Sequence, residues 1–273
     1  MTLIQIAALI ALGSFTGFCA GLLGIGGGMM LVPFLTFLFS IYGFPPESIV
    51  HIAIATSMAT ILFTSLSSVR AHHKRGAVRW DIVITLAPGI LIGGLLGGGQ
   101  LFSLLKTSWL SFIFASFVGF SAYQMLRNKK PQASRTLPER GGMFGVGTFI
   151  GFLSSLVGAG GGFVSVPFML WCNVTMHSAV ATSAALGFPI ALASAIGYIF
   201  SGYGNPNLPE GSLGYIYLPA LLCIALASVT TAPLGAKVAH QLNVAQLKKV
   251  FAIVLIALSG YMLNKGLTSL GLY

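Results

Sequence analysis

Gly17-Phe-Cys-Ala-Gly-Leu-Leu-Gly24-Ile-Gly26-Gly27-Gly28, running on to Val32-Pro33-Phe34, returns later in the chain. The second copy is Gly151-Phe-Leu-Ser-Ser-Leu-Val-Gly158-Ala-Gly160-Gly161-Gly162, running on to Val166-Pro167-Phe168. Both copies lie inside apolar sequence, where a glycine run breaks a helix and frees its backbone polar groups. A break of this kind that occurs twice in a membrane chain marks a transporter site built at a repeat interface.

The surrounding composition fits only a membrane protein. The chain is 56% hydrophobic and 7% charged, too little charge to cover a soluble domain. Several apolar runs approach the ~20 residues that a spanning helix needs. They are continuous rather than alternating, which excludes a β-barrel and leaves an all-α polytopic protein. The N-terminal segment has no basic lead and no small-residue cleavage site, so it is expected to be retained structure rather than a signal peptide. The three cysteines, Cys19, Cys172 and Cys223, lack metal-ligand spacing and read as buried free thiols. The net charge of +10 falls mostly in short loops, where it orients the protein in the bilayer; nucleic acid is not needed to explain it. No metal or cofactor is expected.

Apolar segments fall at 3–22, 29–41, 49–69, 81–104 and 108–126, then at 142–158, 163–173, 177–200, 213–239 and 246–264. The match between halves extends beyond glycine: His51-Ile-Ala-Ile-Ala-Thr56-Ser57 is echoed by His177-Ser-Ala-Val-Ala-Thr182-Ser183. Gly76, Gly97 and Tyr123 correspond to Gly202, Gly235 and Tyr261. The chain therefore divides into a first transmembrane repeat (1–126), a cytoplasmic linker (127–140) and a second repeat (141–273).

Loop charge sets the orientation. The loops 70–79 and 127–140 are strongly basic and belong in the cytoplasm, whereas 201–212 carries Glu210 and no basic residue and belongs outside. The loop 70–79 and its repeat partner 201–212 thus face opposite sides, which makes the repeats inverted, with about five segments each. Segments 29–41 and 163–173 reach only ~15–20 Å against ~30 Å of hydrocarbon. They read as second arms of re-entrant hairpins whose glycine tips meet near mid-membrane. A single broken helix at each phrase, with four crossings per half and parallel repeats, is the competing arrangement.

Several residues could carry chemistry. Gly26, Gly27, Gly28 and Gly160, Gly161, Gly162 stand at helix N-termini, where free N–H groups and the dipole hold an anion without a cationic side chain. Thr56, Ser57, Thr182 and Ser183 offer hydroxyls within reach of those tips, although such groups also bond their own helix. His51 and His177 are candidates for proton transfer or gating, or for structural helix starts. Lys237 and Arg70 could attract anions. The four carboxylates, Glu47, Asp81, Glu139 and Glu210, all fall in loops or at segment ends, which disfavours a cation substrate. An intramembrane enzyme using a histidine with Ser57 or Ser183 lacks a carboxylate to orient the base.

The paired Gly-Ile/Ala-Gly-Gly-Gly…Val-Pro-Phe phrase with its Ala-Thr-Ser motif resembles the TauE/SafE family of membrane permeases, the sulfite exporters, over essentially the whole chain. The resemblance implies a multi-pass inner-membrane transporter of small anions such as sulfite and organosulfonates, generally moving them outward. The expectation is a secondary transporter working by alternating access, with proton coupling and homo-oligomerisation as open features. A permease for another small organic anion, or an anion channel of the same architecture, is the alternative.

Overall fold

The computed structural model describes residues 2–23, 27–127, 135–239 and 244–271. Within them the chain is almost wholly helical. The first half holds α1 (Leu3–Leu23), α2 (Gly28–Ile41), α3 (Ile49–His73), α4 (Trp80–Gly98), α5 (Gln100–Leu104) and α6 (Thr107–Arg127). The second holds α7 (Arg140–Val157), α8 (Gly162–Trp171), α9 (Met176–Gly202), α10 (Leu218–Ala239) and α11 (Val244–Ser269). A two-stranded antiparallel hairpin, β1 (Ser212–Leu213) and β2 (Ile216–Tyr217), precedes α10.

Eight of the helices are long and apolar enough to cross a membrane. The remaining apolar helices, α2 and α8, have 14 and 10 residues. At 1.5 Å per residue they reach about 21 and 15 Å, short of a ~30 Å hydrocarbon layer. These are the arms that follow the glycine phrases. The α3 and α9 helices are the most enclosed of the spans. Around them the outer helices expose Ile84, Leu96, Phe149, Leu222, Leu226 and Ile253, an apolar surface suited to lipid. Trp80 and Trp171 stand exposed at helix ends, as interfacial aromatics do.

Glycine sets how closely the helices approach and shows their directions. Gly13 and Gly17 of α1 lie against Ile224 and Ser228 of α10, so these helices are parallel. In the other half, Gly89, Gly93 and Gly97 of α4 meet Phe144, Thr148 and Phe152 of α7, again in parallel. Gly94 and Gly98 of α4 also track Ser194 and Tyr198 of α9. Hence α4, α7 and α9 share one direction. The α3 helix joins α4 through only six residues, 74–79, and runs the other way.

The path at the second glycine phrase follows from these contacts. Four residues, 172–175, join α8 to α9, and Ser165 of α8 lies 2.8 Å from Ser183 of α9. The two helices are therefore antiparallel, and since α7 parallels α9, α8 doubles back on α7. Gly158, at φ +68°, ends α7 by taking the left-handed conformation that closes a helix. The chain re-enters helix past Gly161, at φ +74°.

One expected segment differs in kind. Residues 213–217 read as the start of a helix but form the hairpin, because Gly214 at φ +56° makes the turn between β1 and β2. Gly214 also packs against the backbone of Tyr198 and Ile199, and the Tyr215 N–H bonds to the Tyr198 carbonyl. Half of the linker (128–134) and the residues between α10 and α11 (240–243) lie outside the described residues.

Candidate functional site

The two glycine phrases touch. A Cβ placed on Gly28 would lie 2.5 Å from the Gly158 carbonyl oxygen and 3.2 Å from Ala159 Cα. From the other side, a Cβ on Gly158 would lie 2.9 Å from Val32 of α2. Ser57, fully buried in α3, donates its hydroxyl to the Gly158 carbonyl at 3.2 Å, with the Gly28 carbonyl 3.5 Å away. One hydroxyl thus sits at the junction of both tips.

Each tip begins a helix. The N–H groups of Met30 and Leu31 bond to the Gly27 carbonyl, and those of Val164 and Ser165 bond to the Gly161 carbonyl. The N–H groups one turn earlier, at Gly28 and Met29 and at Gly162 and Phe163, have no acceptor within their own helix. They carry the positive end of the helix dipole.

Beside the first tip lies a small cleft of about 20 Å³, bounded by Gly27 and Gly28 and by the hydroxyl residues Thr16, Ser57, Thr60, Thr64 and Ser228. Its remaining walls are Gly17, Ala20, Leu31 and Ile61, so among the described residues no titratable side chain lines it. The four carboxylate residues are all exposed, and none is part of this lining. Thr16, Thr60, Thr64 and Ser228 escaped the sequence reading. Their signal was present as hydroxyls at Ser57, Thr60 and Thr64, three and four residues apart on one helical face.

The duplicated Thr-Ser motif divides its work. Thr56 accepts the backbone N–H of Tyr217 at 3.0 Å, and Thr182 accepts that of Arg79, also at 3.0 Å. Both threonines are fully buried, so each anchors the start of a helix in the other half of the chain. Ser57 reaches the tips, while Ser183 accepts a hydrogen bond from Ser165 behind the second tip.

The histidines are not equivalent. His51 is buried, with Nε2 2.8 Å from the Leu105 carbonyl and 3.1 Å from the Phe102 carbonyl, so Nε2 carries the proton. Its ring stacks on Tyr215, and Nδ1 is enclosed without a hydrogen-bond partner. His177 is exposed in the first turn of α9. Neither lines the cleft. Arg70 is exposed in the last turn of α3. Of the other candidates, Gly26 and the Lys237 side chain lie outside the described residues, and Gly160 sits in the break before α8.

The family model for the sulfite exporter TauE/SafE matches residues 9–262. A probable membrane transporter protein of Haemophilus influenzae is 38% identical over 255 residues, covering 92% of this chain and 95% of that protein. A probable membrane transporter protein of Methanocaldococcus jannaschii is 27% identical, with 96% of each chain covered. The Bacillus subtilis probable membrane transporter protein YunE is 28% identical, covering 96% of this chain and 98% of its own. No solved structure matches. With eight helices long and apolar enough to span among the described residues, paired glycine tips and a family match over nearly its whole length, the chain belongs to the TauE/SafE family of multi-pass membrane transporters.

Proposed function

We propose that this transporter exports a small sulfur-containing oxyanion, sulfite or an organosulfonate, across the inner membrane by alternating access between two inverted repeats. The carrying observation is the meeting of Gly28 with Gly158 beside a cleft of hydroxyls and backbone. The hydroxyls of Thr16, Ser57, Thr60, Thr64 and Ser228 each donate their proton to a backbone carbonyl, so the donors left for an oxyanion are the N–H groups at the start of α2, with no carboxylate beside them to repel it. The opposite directions of α3 and α9, whose Ala-Thr-Ser motifs correspond, support the inverted relation. So does the exchange of packing partners, α1 on α10 and α7 on α4.

The driving force follows from the same lining. Among the described residues no titratable group stands in the cleft. The proposal therefore takes the inside-negative potential as the drive, worth ~2.3 kcal/mol per charge per 100 mV for an anion leaving. The name of the matched family model points to sulfite, and the site chemistry suits any compact oxyanion.

Flux of sulfite, organosulfonates and small carboxylates into proteoliposomes holding the purified protein tests this reading. Saturable sulfite flux that responds to an imposed potential and shows counterflow is the expected result. Absence of flux for every anion in the panel overturns it.

A further inference from the structure

The two glycine tips are alike in sequence and unlike in surroundings. Aligning the phrases pairs Thr16 with Ile150 and Ala20 with Ser154. Aligning the Ala-Thr-Ser motifs pairs Thr60 with Leu186 and Thr64 with Ile190. The packing agrees with these pairings. Gly17 lies on Ser228 as Gly151 lies on Ile90, and Gly27 faces Thr16 and Ala20 as Gly161 faces Ile150 and Ser154.

At the first tip three of the paired positions, Thr16, Thr60 and Thr64, are hydroxyls around the small cleft, and the fourth is Ala20. At the second tip Ile150, Leu186 and Ile190 stand in those three places, and Ser154 stands where the first has Ala20. A Cβ on Gly161 would lie 2.5 Å from Ile190 Cδ1 and 3.3 Å from Ile150 Cγ2. The same point is 3.0 Å from Ser154 Oγ, a fully buried hydroxyl with no hydrogen-bond partner. A polar group is therefore stored beneath an apolar cover, at a cost that packing alone does not explain.

The cleft also has a direction. From Ser57 it follows Thr60 and Thr64 along α3, toward the end that bears Arg70, Lys74 and Arg75. The matching lane at the second tip follows α9 in the opposite direction, toward the loop that holds Glu210.

We propose that Ile150 and Ile190 form an apolar gate over the second glycine tip and close the outer half of the route, while the hydroxyl lane from Ser57 to Thr64 is its open inner half, entered from the basic face. Withdrawal of the two isoleucines bares the Ser154 hydroxyl and the N–H groups of Gly162 and Phe163, so the passing anion meets donors as the gate opens. The cargo rests on the anion-transport reading above; the gate itself rests only on the packing.

Single cysteines test the gate in a background with Cys19, Cys172 and Cys223 replaced by serine, in vesicles of known orientation. The probe is the anionic thiol reagent 2-sulfonatoethyl methanethiosulfonate. Thr64→Cys should be labelled from the basic face at least about tenfold faster than Ile190→Cys is from either face. Adding Ile150→Thr to Ile190→Cys should raise its labelling by about tenfold, from the opposite face. Equal labelling of the two cysteines, or no response to Ile150→Thr, overturns the gate.

Should the Ile150→Thr protein fail to fold, Thr16→Ile placed beside Thr64→Cys gives the converse. It rebuilds the plug over the first tip and should slow Thr64→Cys labelling by about tenfold, and an unchanged rate overturns the proposal. Labelling needs no substrate. The expected labelling without anion flux removes the transport reading and leaves the gate; flux with uniform labelling does the reverse.

Discussion

The hydroxyl of Thr56 accepts the backbone N–H of Tyr217 at 3.0 Å across a sequence separation of 161 residues. Its counterpart Thr182 does the same for Arg79. Each threonine satisfies an N–H just before a helix that belongs to the other half, α10 or α4. The two bonds fix the height of each half against the other, and so the place where the glycine tips meet.

Removing either acceptor leaves a backbone N–H without its partner. Thr56→Val and Thr182→Val keep the side-chain shape and should each cost about 1–3 kcal/mol. The expected result is a lower midpoint in detergent thermal unfolding for both valine variants, with Thr56→Ser and Thr182→Ser close to the parent. A valine variant as stable as the parent would show that the bond does not hold the halves together.

The glycines of the tips should respond differently to alanine. Gly28→Ala places a Cβ 2.5 Å from the Gly158 carbonyl, a backbone atom that cannot swing aside, so the tips must separate. Gly161→Ala adds strain at φ +74°, about 1–2 kcal/mol, to a clash with Ile190. Gly160→Ala meets nothing closer than 3.5 Å, at Ile61. Anion flux should fall sharply in Gly28→Ala and Gly161→Ala and persist in Gly160→Ala. Equal loss in all three would mean that the run acts through backbone freedom rather than through these contacts.

His51 and His177 head the same motif but should behave oppositely. His51→Ala strips the donor from the Phe102 and Leu105 carbonyls and should cost about 1–3 kcal/mol. His51→Gln, whose amide can still donate, should recover part of that loss. His177→Ala, on an exposed side chain, should stay within about 0.5 kcal/mol of the parent. Thermal unfolding of the three variants in parallel decides this. A His177→Ala loss as large as that of His51→Ala would contradict the placement.

Most of the architecture was legible because the bilayer leaves a chain few choices. The long apolar runs became helices close to their expected limits, and the two short runs became α2 and α8. The surroundings of the motifs were hidden, since identical letters acquire different neighbours. His51 meets the α5 turn at Phe102 and Leu105, whereas His177 projects from the surface. Ser57 reaches the opposite tip, while Ser183 pairs with Ser165, where the first half has Leu31. The hairpin before α10 was missed because Tyr215, Ile216 and Tyr217 are as apolar as a helix start; only Gly211 and Gly214 announced a turn.

The α4–α7 seam gives the sharpest test of the packing. A Cβ on Gly93 would lie 2.0 Å from the Thr148 carbonyl oxygen, and one on Gly89 would lie 2.1 Å from that of Phe144. Membrane helices associate through such close backbone approach, because lipid removes the hydrophobic drive that joins helices in water. Gly93→Ala should therefore push α4 from α7 and abolish a monodisperse, cooperatively unfolding protein. Gly145, in α7, has nothing within 4 Å of its Cβ position and stands exposed. Gly145→Ala should leave the protein as stable as the parent or more so, by up to about 1 kcal/mol of helix propensity. Size-exclusion profiles and thermal unfolding of the two variants separate a seam set by glycine from a general intolerance of α4 and α7 to substitution. If Gly93→Ala remained monodisperse with an unchanged midpoint, the parallel packing of α4 on α7 would be wrong.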